Sequence, residues 1–186
     1  MPQQAVRTRR AALMALFAVL TAVGAFVRVP LPGVPLTLQV PAVLLAGVAL
    51  GPWLGAASQA AYIVVGLLGL PVFATGGGPG YVLTPTFGFL AGFVVAAAVV
   101  GLVAGDPARS GTLRVALALV LGVVAIYLVG VPWLAWNFVF YQKKALPTAL
   151  LWKLTAVLLP LDLLKAALLL PVIRVIKSRG GLVPGR

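Results

Sequence analysis

The stretch "VALALVLGVVAIYLVGVPWLA", residues 115–135, holds no charged side chain and no alternation of polar with apolar residues. About 20 such residues, rising 1.5 Å each as a helix, cross a hydrocarbon core of about 30 Å. Lipid offers backbone amides no partner, so a spanning segment must be a helix or part of a closed barrel. Barrel strands alternate polar with apolar side chains at period two, which this run does not. It therefore reads as a transmembrane helix. The remaining sequence agrees: of 186 residues, 62% are hydrophobic and 9% charged, against roughly a quarter charged in soluble domains. The mean hydropathy is +1.16. The fold class expected is an all-α integral membrane protein.

Outward from that helix, proline and glycine clusters mark where the other spans stop. Six helices are expected, over about 9–27, 41–50, 54–70, 86–104, 115–135 and 148–176, in one membrane domain covering 1–186. The N-terminal "RTRRAALMALFAVLTAVGAF" has the basic and apolar regions of a signal peptide. A first span needs the same pattern, and the chain is membrane throughout, so it is read as a retained helix. The second helix, at about ten residues, is too short to cross alone. The loop before it, "RVPLPGVPLTLQVP", residues 28–41, carries four prolines, which remove donors and block helical backbone angles. Non-helical backbone at membrane depth is tolerated only against protein or a cavity. This loop is thus a candidate lid, and "ATGGGPGY", residues 74–81, forms a second irregular connection on the same face.

The +12 net charge, from fourteen bases against Asp106 and Asp162, would suggest nucleic acid in a soluble protein. Here most bases flank apolar runs, so no nucleic-acid partner is expected. With six spans both termini share a face with Arg7, Arg9, Arg10, Arg109, Arg114, Arg174, Lys177, Arg179 and Arg186, against Arg28, Lys143 and Lys144 opposite. The positive-inside rule then places both termini in the cytoplasm and the two irregular loops outside. Without cysteine or histidine, the chain lacks the ordinary thiolate and imidazole metal ligands and a histidine triad. No metal, cofactor or catalytic residue is expected. A membrane enzyme using Asp162 and Lys165 as acid and base would lack a nucleophile and a second carboxylate.

In "PLDLLKAALLL", residues 160–170, Asp162 and Lys165 stand at i and i+3 inside a span, so they share a helix face. Intramembrane ionisable groups usually face a bundle interior or a pathway. One reading is a self-neutralising pair whose lysine snorkels to an interface. The other is a polar cavity, favoured because Arg174 and Lys177 already mark the end of that helix. A carboxylate acceptor beside an ammonium donor suits a ligand with both N–H and C=O groups. Thr37, Gln39, Tyr81, Thr84 and Asn137 fall on the same face and can complete a pocket, although each alone is an ordinary cap or surface residue. The glycine loop, including Gly78 and Gly80, permits close backbone approach to a ligand or serves as a turn; it is not a nucleotide P-loop. Trp133, Trp136, Phe138, Phe140 and Tyr141 read as an interfacial belt or as packing for an apolar ligand. Ala11, Ala15, Ala18, Ala22 and Ala25 give helix 1 a stripe of small residues that lets another helix approach, within this chain or from a partner.

Three stretches together, "PLPGVPLTLQ" (30–39), the run from "LLAGVALGPWLG" to "TPTFGFLAGF" (44–93) and "DLLKA" (162–166), resemble the BioY family, the biotin-binding S components of energy-coupling factor (ECF) transporters. The likeness covers about residues 11–175. One departure is Phe87, where the family more often has glycine. The resemblance implies a six-helix protein of a prokaryotic cytoplasmic membrane that catches biotin from outside. It implies docking through Ala11, Ala15, Ala18 and Ala22 to a transmembrane coupling subunit with two cytoplasmic ATPases. It also implies that Asp162 and Lys165 contribute to the biotin site, while Gln39 and the glycine loop belong to ligand-covering loops. An S component for another small vitamin is the alternative, since few residues retune such a pocket.

Overall fold

The computed structural model describes residues 3–31, 34–106 and 110–178. Arg109, Arg179 and Arg186 lie outside the described residues, as do the side chains beyond Val175. The helices are α1 (Gln3–Phe26), α2 (Gln39–Leu50), α3 (Pro52–Leu67), α4 (Phe87–Ala104), α5 (Thr112–Trp136), α6 (Thr148–Lys153) and α7 (Leu159–Ser178). Helix α5 runs on through a π-helical turn, Asn137–Tyr141, and α6 joins α7 through another, Leu154–Leu158, so α6 and α7 form one rod. The π turn in that rod precedes Pro160, which has no N–H to give the carbonyl four residues back and crowds it. The six rods include four that are long and apolar enough to cross a membrane: Gln3–Phe26, Phe87–Ala104, Thr112–Tyr141 and Thr148–Val175.

Helices α2 and α3 form a tight antiparallel hairpin, because Gly51, at φ 85°, turns the chain directly into Pro52 at the first helical position. Proline fits there since its missing N–H would have had no intrahelical partner. The expected punctuation at "GPWLG" is thus a turn with no loop of its own. A Cβ on Gly55 would lie 3.0 Å from the Ala46 carbonyl oxygen, and one on Gly47 2.7 Å from that of Ala97. Glycines therefore let α2, α3 and α4 approach backbone to backbone, as close-packed membrane helices do. Gly92 likewise admits α5 at Ile126. Helix α1 packs on the α2–α3 hairpin, α4 lies between that hairpin and α5, and α7 closes on α2 and α5. Buried Thr21 of α1 donates to Gln59 Oε1 of α3 at 3.1 Å, fixing α1 to the hairpin. Outward-facing positions such as Trp53, Leu113, Leu128 and Trp152 are exposed apolar side chains, as lipid contact requires.

The proline-rich segment between α1 and α2 folds as a short antiparallel pair, β1 (Arg28–Val29) with β2 (Leu36–Thr37), in the register Arg28 to Thr37 and Val29 to Leu36. The Leu38 N–H donates to the carbonyls of Gly24 and Val27, tying β2 to the end of α1. The glycine-rich segment is held inward by Phe73, which is buried between Tyr62 and Tyr81 at centroid distances of 5.4 and 4.4 Å. Gly78 N–H donates to the Gly66 carbonyl at 2.7 Å. Both segments lie at the end of the bundle opposite the termini. Lys153, in the opening turns of the last rod, adds a fourth base to Arg28, Lys143 and Lys144 on that end.

Candidate functional site

Beneath the two loops lies a small, partly open cavity of about 60 Å³. Its walls are apolar: Val40 of α2, Phe89, Leu90 and Phe93 of α4, Ile126 of α5 and Leu158 of the π turn. Val34 to Thr37, Ala74 and Tyr81 close it from the loop side. Polar groups reach it at Thr37, Gln39, Tyr81, Thr86, Tyr127 and Asp162. An apolar chamber with a few converging polar groups is the usual form of a small-ligand site.

Asp162 is the carboxylate in that wall, and it is 7% exposed. Its Oδ1 accepts from Lys165 Nζ at 2.5 Å and its Oδ2 from the Tyr127 hydroxyl at 2.9 Å. Each oxygen of an ionised carboxylate can accept more than one hydrogen bond, so both retain capacity toward the cavity. Lys165 is not in the cavity wall. Its ammonium passes behind β2, where it also donates to the Thr37 carbonyl at 2.7 Å. The pair therefore does two things: Asp162 presents charge to the chamber, and Lys165 neutralises it while fastening the strand above.

The Tyr127 ring is set edge-on to Phe89, with centroids 5.8 Å apart and planes at 88°, and Phe89 in turn lies against Gly130, where any Cβ would clash. Gln39 is held by two bonds, donating from Nε2 to the Tyr62 hydroxyl at 2.8 Å and accepting from Thr37 Oγ1 at 3.1 Å. The Tyr62 hydroxyl in turn donates to the Val72 carbonyl at 3.0 Å, so the α2 end, the lid strand and the glycine loop share one network. Tyr81 accepts from Thr75 at 3.0 Å.

Of the residues expected from sequence, Thr37, Gln39, Tyr81 and Asp162 therefore meet at one cavity. Asn137, Gly78 and Gly80 do not line it. Asn137 is fully buried, donating to the Leu83 carbonyl at 2.7 Å and accepting from Gln142, so it anchors the second loop. Gly78, at φ 99°, and Gly80 shape the short 3-10 turn that delivers Tyr81. Thr84 bonds back to the Tyr81 carbonyl. Trp133 donates to the Thr84 carbonyl and packs on Phe87, whereas Trp136, Phe140 and Tyr141 are exposed. Phe87 is thus part of the loop support and stands outside the cavity wall. Tyr127 and Thr86 were missed by the sequence reading; a tyrosine midway along the charge-free run 115–135 was the available signal. In the alanine stripe, Ala11 and Ala15 are exposed, Ala18 and Ala22 half-buried and Ala25 fully buried.

Bundle and cavity together define a multi-pass helical membrane protein with a small apolar chamber, reached by a few polar groups, under two loops. The chain belongs to the BioY family, whose sequence profile matches residues 1–181. A probable biotin transporter BioY from Lysinibacillus sphaericus is 52% identical over 123 residues, which span 66% of this chain and 62% of that protein. A probable biotin transporter BioY from Pyrococcus horikoshii is 42% identical over 74% of this chain and 81% of its own length. The biotin transporter BioY of Rhodobacter capsulatus is 39% identical over 82% and 83%. The crystal structure of the S component for biotin from an ECF-type ABC transporter superposes with a TM-score of 0.82, covering 98% of this chain and 97% of that one at 25% identity.

Proposed function

We propose that this protein captures biotin at the outer face of a prokaryotic cytoplasmic membrane and serves as the substrate-binding S component of an ECF-type ABC transporter. The observation that carries this reading is Asp162, buried in the wall of an otherwise apolar chamber with both oxygens oriented by donors. Biotin's ureido ring offers two N–H donors and a carbonyl, and its fused ring and aliphatic chain suit walls of phenylalanine, leucine and isoleucine. Asp162 accepts a ureido N–H in this proposal. Lys165 balances the charge and, with Thr37, Gln39 and Tyr81, closes the lid. Gly78 and Gly80 give the second loop its shape, and Asn137 holds that loop in place.

Support for both termini being cytoplasmic comes from the bases: Arg7, Arg9, Arg10, Arg114 and Arg174 lie on the terminal face with Lys177. Ala11 and Ala15, exposed on α1, with Ala18 and Ala22 beside them, form the docking stripe for a transmembrane coupling subunit served by two cytoplasmic ATPases. Energy from nucleotide hydrolysis has to come from those separate chains, since this one carries no P-loop motif.

The test is biotin affinity of Asp162→Asn and Lys165→Ala proteins in detergent. A hydrogen bond to a charged acceptor contributes about 1.5–3 kcal/mol, so Asp162→Asn should weaken binding roughly tenfold to 150-fold. Unchanged affinity in both variants refutes the assignment.

A further inference from the structure

Strand β2 separates two spaces. On one side is the cavity; on the other is an open groove of about 220 Å³ between β1, β2 and α7, lined by Val27, Arg28, Val29, Leu38 and Lys165. Leu36 and Thr37 line both, so strand β2 stands between them. Two cations, Arg28 and Lys165, line the groove. Arg28 is exposed, and among the described residues neither aspartate is placed to serve it: Asp162 is engaged by Lys165 and Tyr127, and Asp106 follows α4 at the opposite end of the bundle. Lys165 Nζ has three N–H donors, of which two go to Asp162 and Thr37 among the described residues. The groove floor is apolar, with Val27, Val29 and Leu38 exposed. Apolar floor and cationic rim together match a small amphiphile with one carboxylate.

Resting on the reading of biotin as ligand, we propose that this groove is the entry vestibule: Arg28 and Lys165 receive the ligand's carboxylate before its ring passes β2 into the chamber. The exchange at Lys165 is balanced. The arriving carboxylate accepts from Nζ in place of the Thr37 carbonyl, and that carbonyl, freed from its tie to α7, lets β2 swing from the cavity mouth. Asp162 keeps its own bond to Nζ throughout, so no charge is left buried alone. Arg28 acts on the passage in either direction and not on the bound state, because it lies across the strand from the chamber that holds the bound ligand.

A residue that stabilises the passage but not the bound state changes both rates and leaves their ratio alone. Arg28→Gln should therefore slow biotin association and dissociation together by about threefold to tenfold, with Kd within twofold of wild type. Arg28→Lys should restore both rates. Rapid filtration with radiolabelled biotin, and with biotinamide, which lacks the charge, makes the measurement on full-length protein in zwitterionic nanodiscs. Biotinamide rates should not respond to Arg28→Gln, and raising the salt should slow biotin entry into wild type more than into the variant. Three outcomes overturn the proposal while leaving biotin as the ligand: unchanged biotin rates, a rise in dissociation alone, or equal slowing of biotinamide. Absence of biotin binding to wild type overturns the functional reading itself. Wild-type entry that drops to the variant's rate in anionic nanodiscs at constant ionic strength assigns the groove to lipid headgroups instead.

Discussion

Tyr127→Phe removes one oxygen atom from the site and little else. The ring stays edge-on to Phe89 and keeps its place in the chamber wall, so the apolar surface offered to a ligand is nearly the same. What is lost is the 2.9 Å donor to Asp162 Oδ2. A hydrogen bond to a charged group is worth about 1.5–3 kcal/mol. In the free protein, water entering the cavity can replace the donor, so the fold should lose no more than the low end of that range. When a ligand fills the chamber that water is displaced, and Asp162 is left with Lys165 on one oxygen and a less fixed orientation on the other. The difference between the two states is what binding reads, and about 1.4 kcal/mol corresponds to a tenfold change. Titration calorimetry in detergent should show biotin Kd raised about tenfold. Affinity within twofold of wild type, or improved, would mean that the ligand is gripped by the apolar walls and that Asp162 needs no orienting partner.

Other consequences concern the scaffold and the docking face. Gly66→Ala would place a Cβ 2.1 Å from the ring of Phe73, which cannot yield because it is buried between two tyrosines; overpacking of this kind costs about 1–3 kcal/mol. A lowered thermal midpoint together with weaker biotin binding is expected, and a variant with both unchanged would contradict the role of Phe73 in holding the loop that carries Tyr81. Ala11→Leu with Ala15→Leu enlarges two exposed positions of α1, so biotin affinity should stay as it is while co-purification with the coupling subunit is lost. Retained co-purification would move the docking surface elsewhere.

The spans were legible because lipid imposes one rule on every residue of a segment: 115–135 has no charge, and the helix over it follows. The break at "GPWLG" was legible for the same reason, that glycine and proline act locally. The short second helix could likewise be tied to a loop entering from above, and the structure puts β2 there. The direction taken by the Lys165 ammonium was not readable. Spacing places it on the face of Asp162, but its second partner is a carbonyl 128 residues away in sequence, and that depends on how β2 lies over α7. Tyr127 was overlooked for the converse reason: its value comes from Asp162 on another helix, with no neighbour in sequence to announce it. The aromatic cluster divided, Trp133 turning inward onto Gly88 and Thr84 while Trp136 and Phe140 stay out, because a glycine on α4 leaves room for one indole.

Equilibrium titration of the purified wild-type chain with biotin, thiamine and riboflavin tests biotin capture most directly. Biotin should saturate one site per chain, with thiamine and riboflavin neither binding nor competing. Saturable binding of either other vitamin in place of biotin, or no binding of biotin at all, would contradict the account.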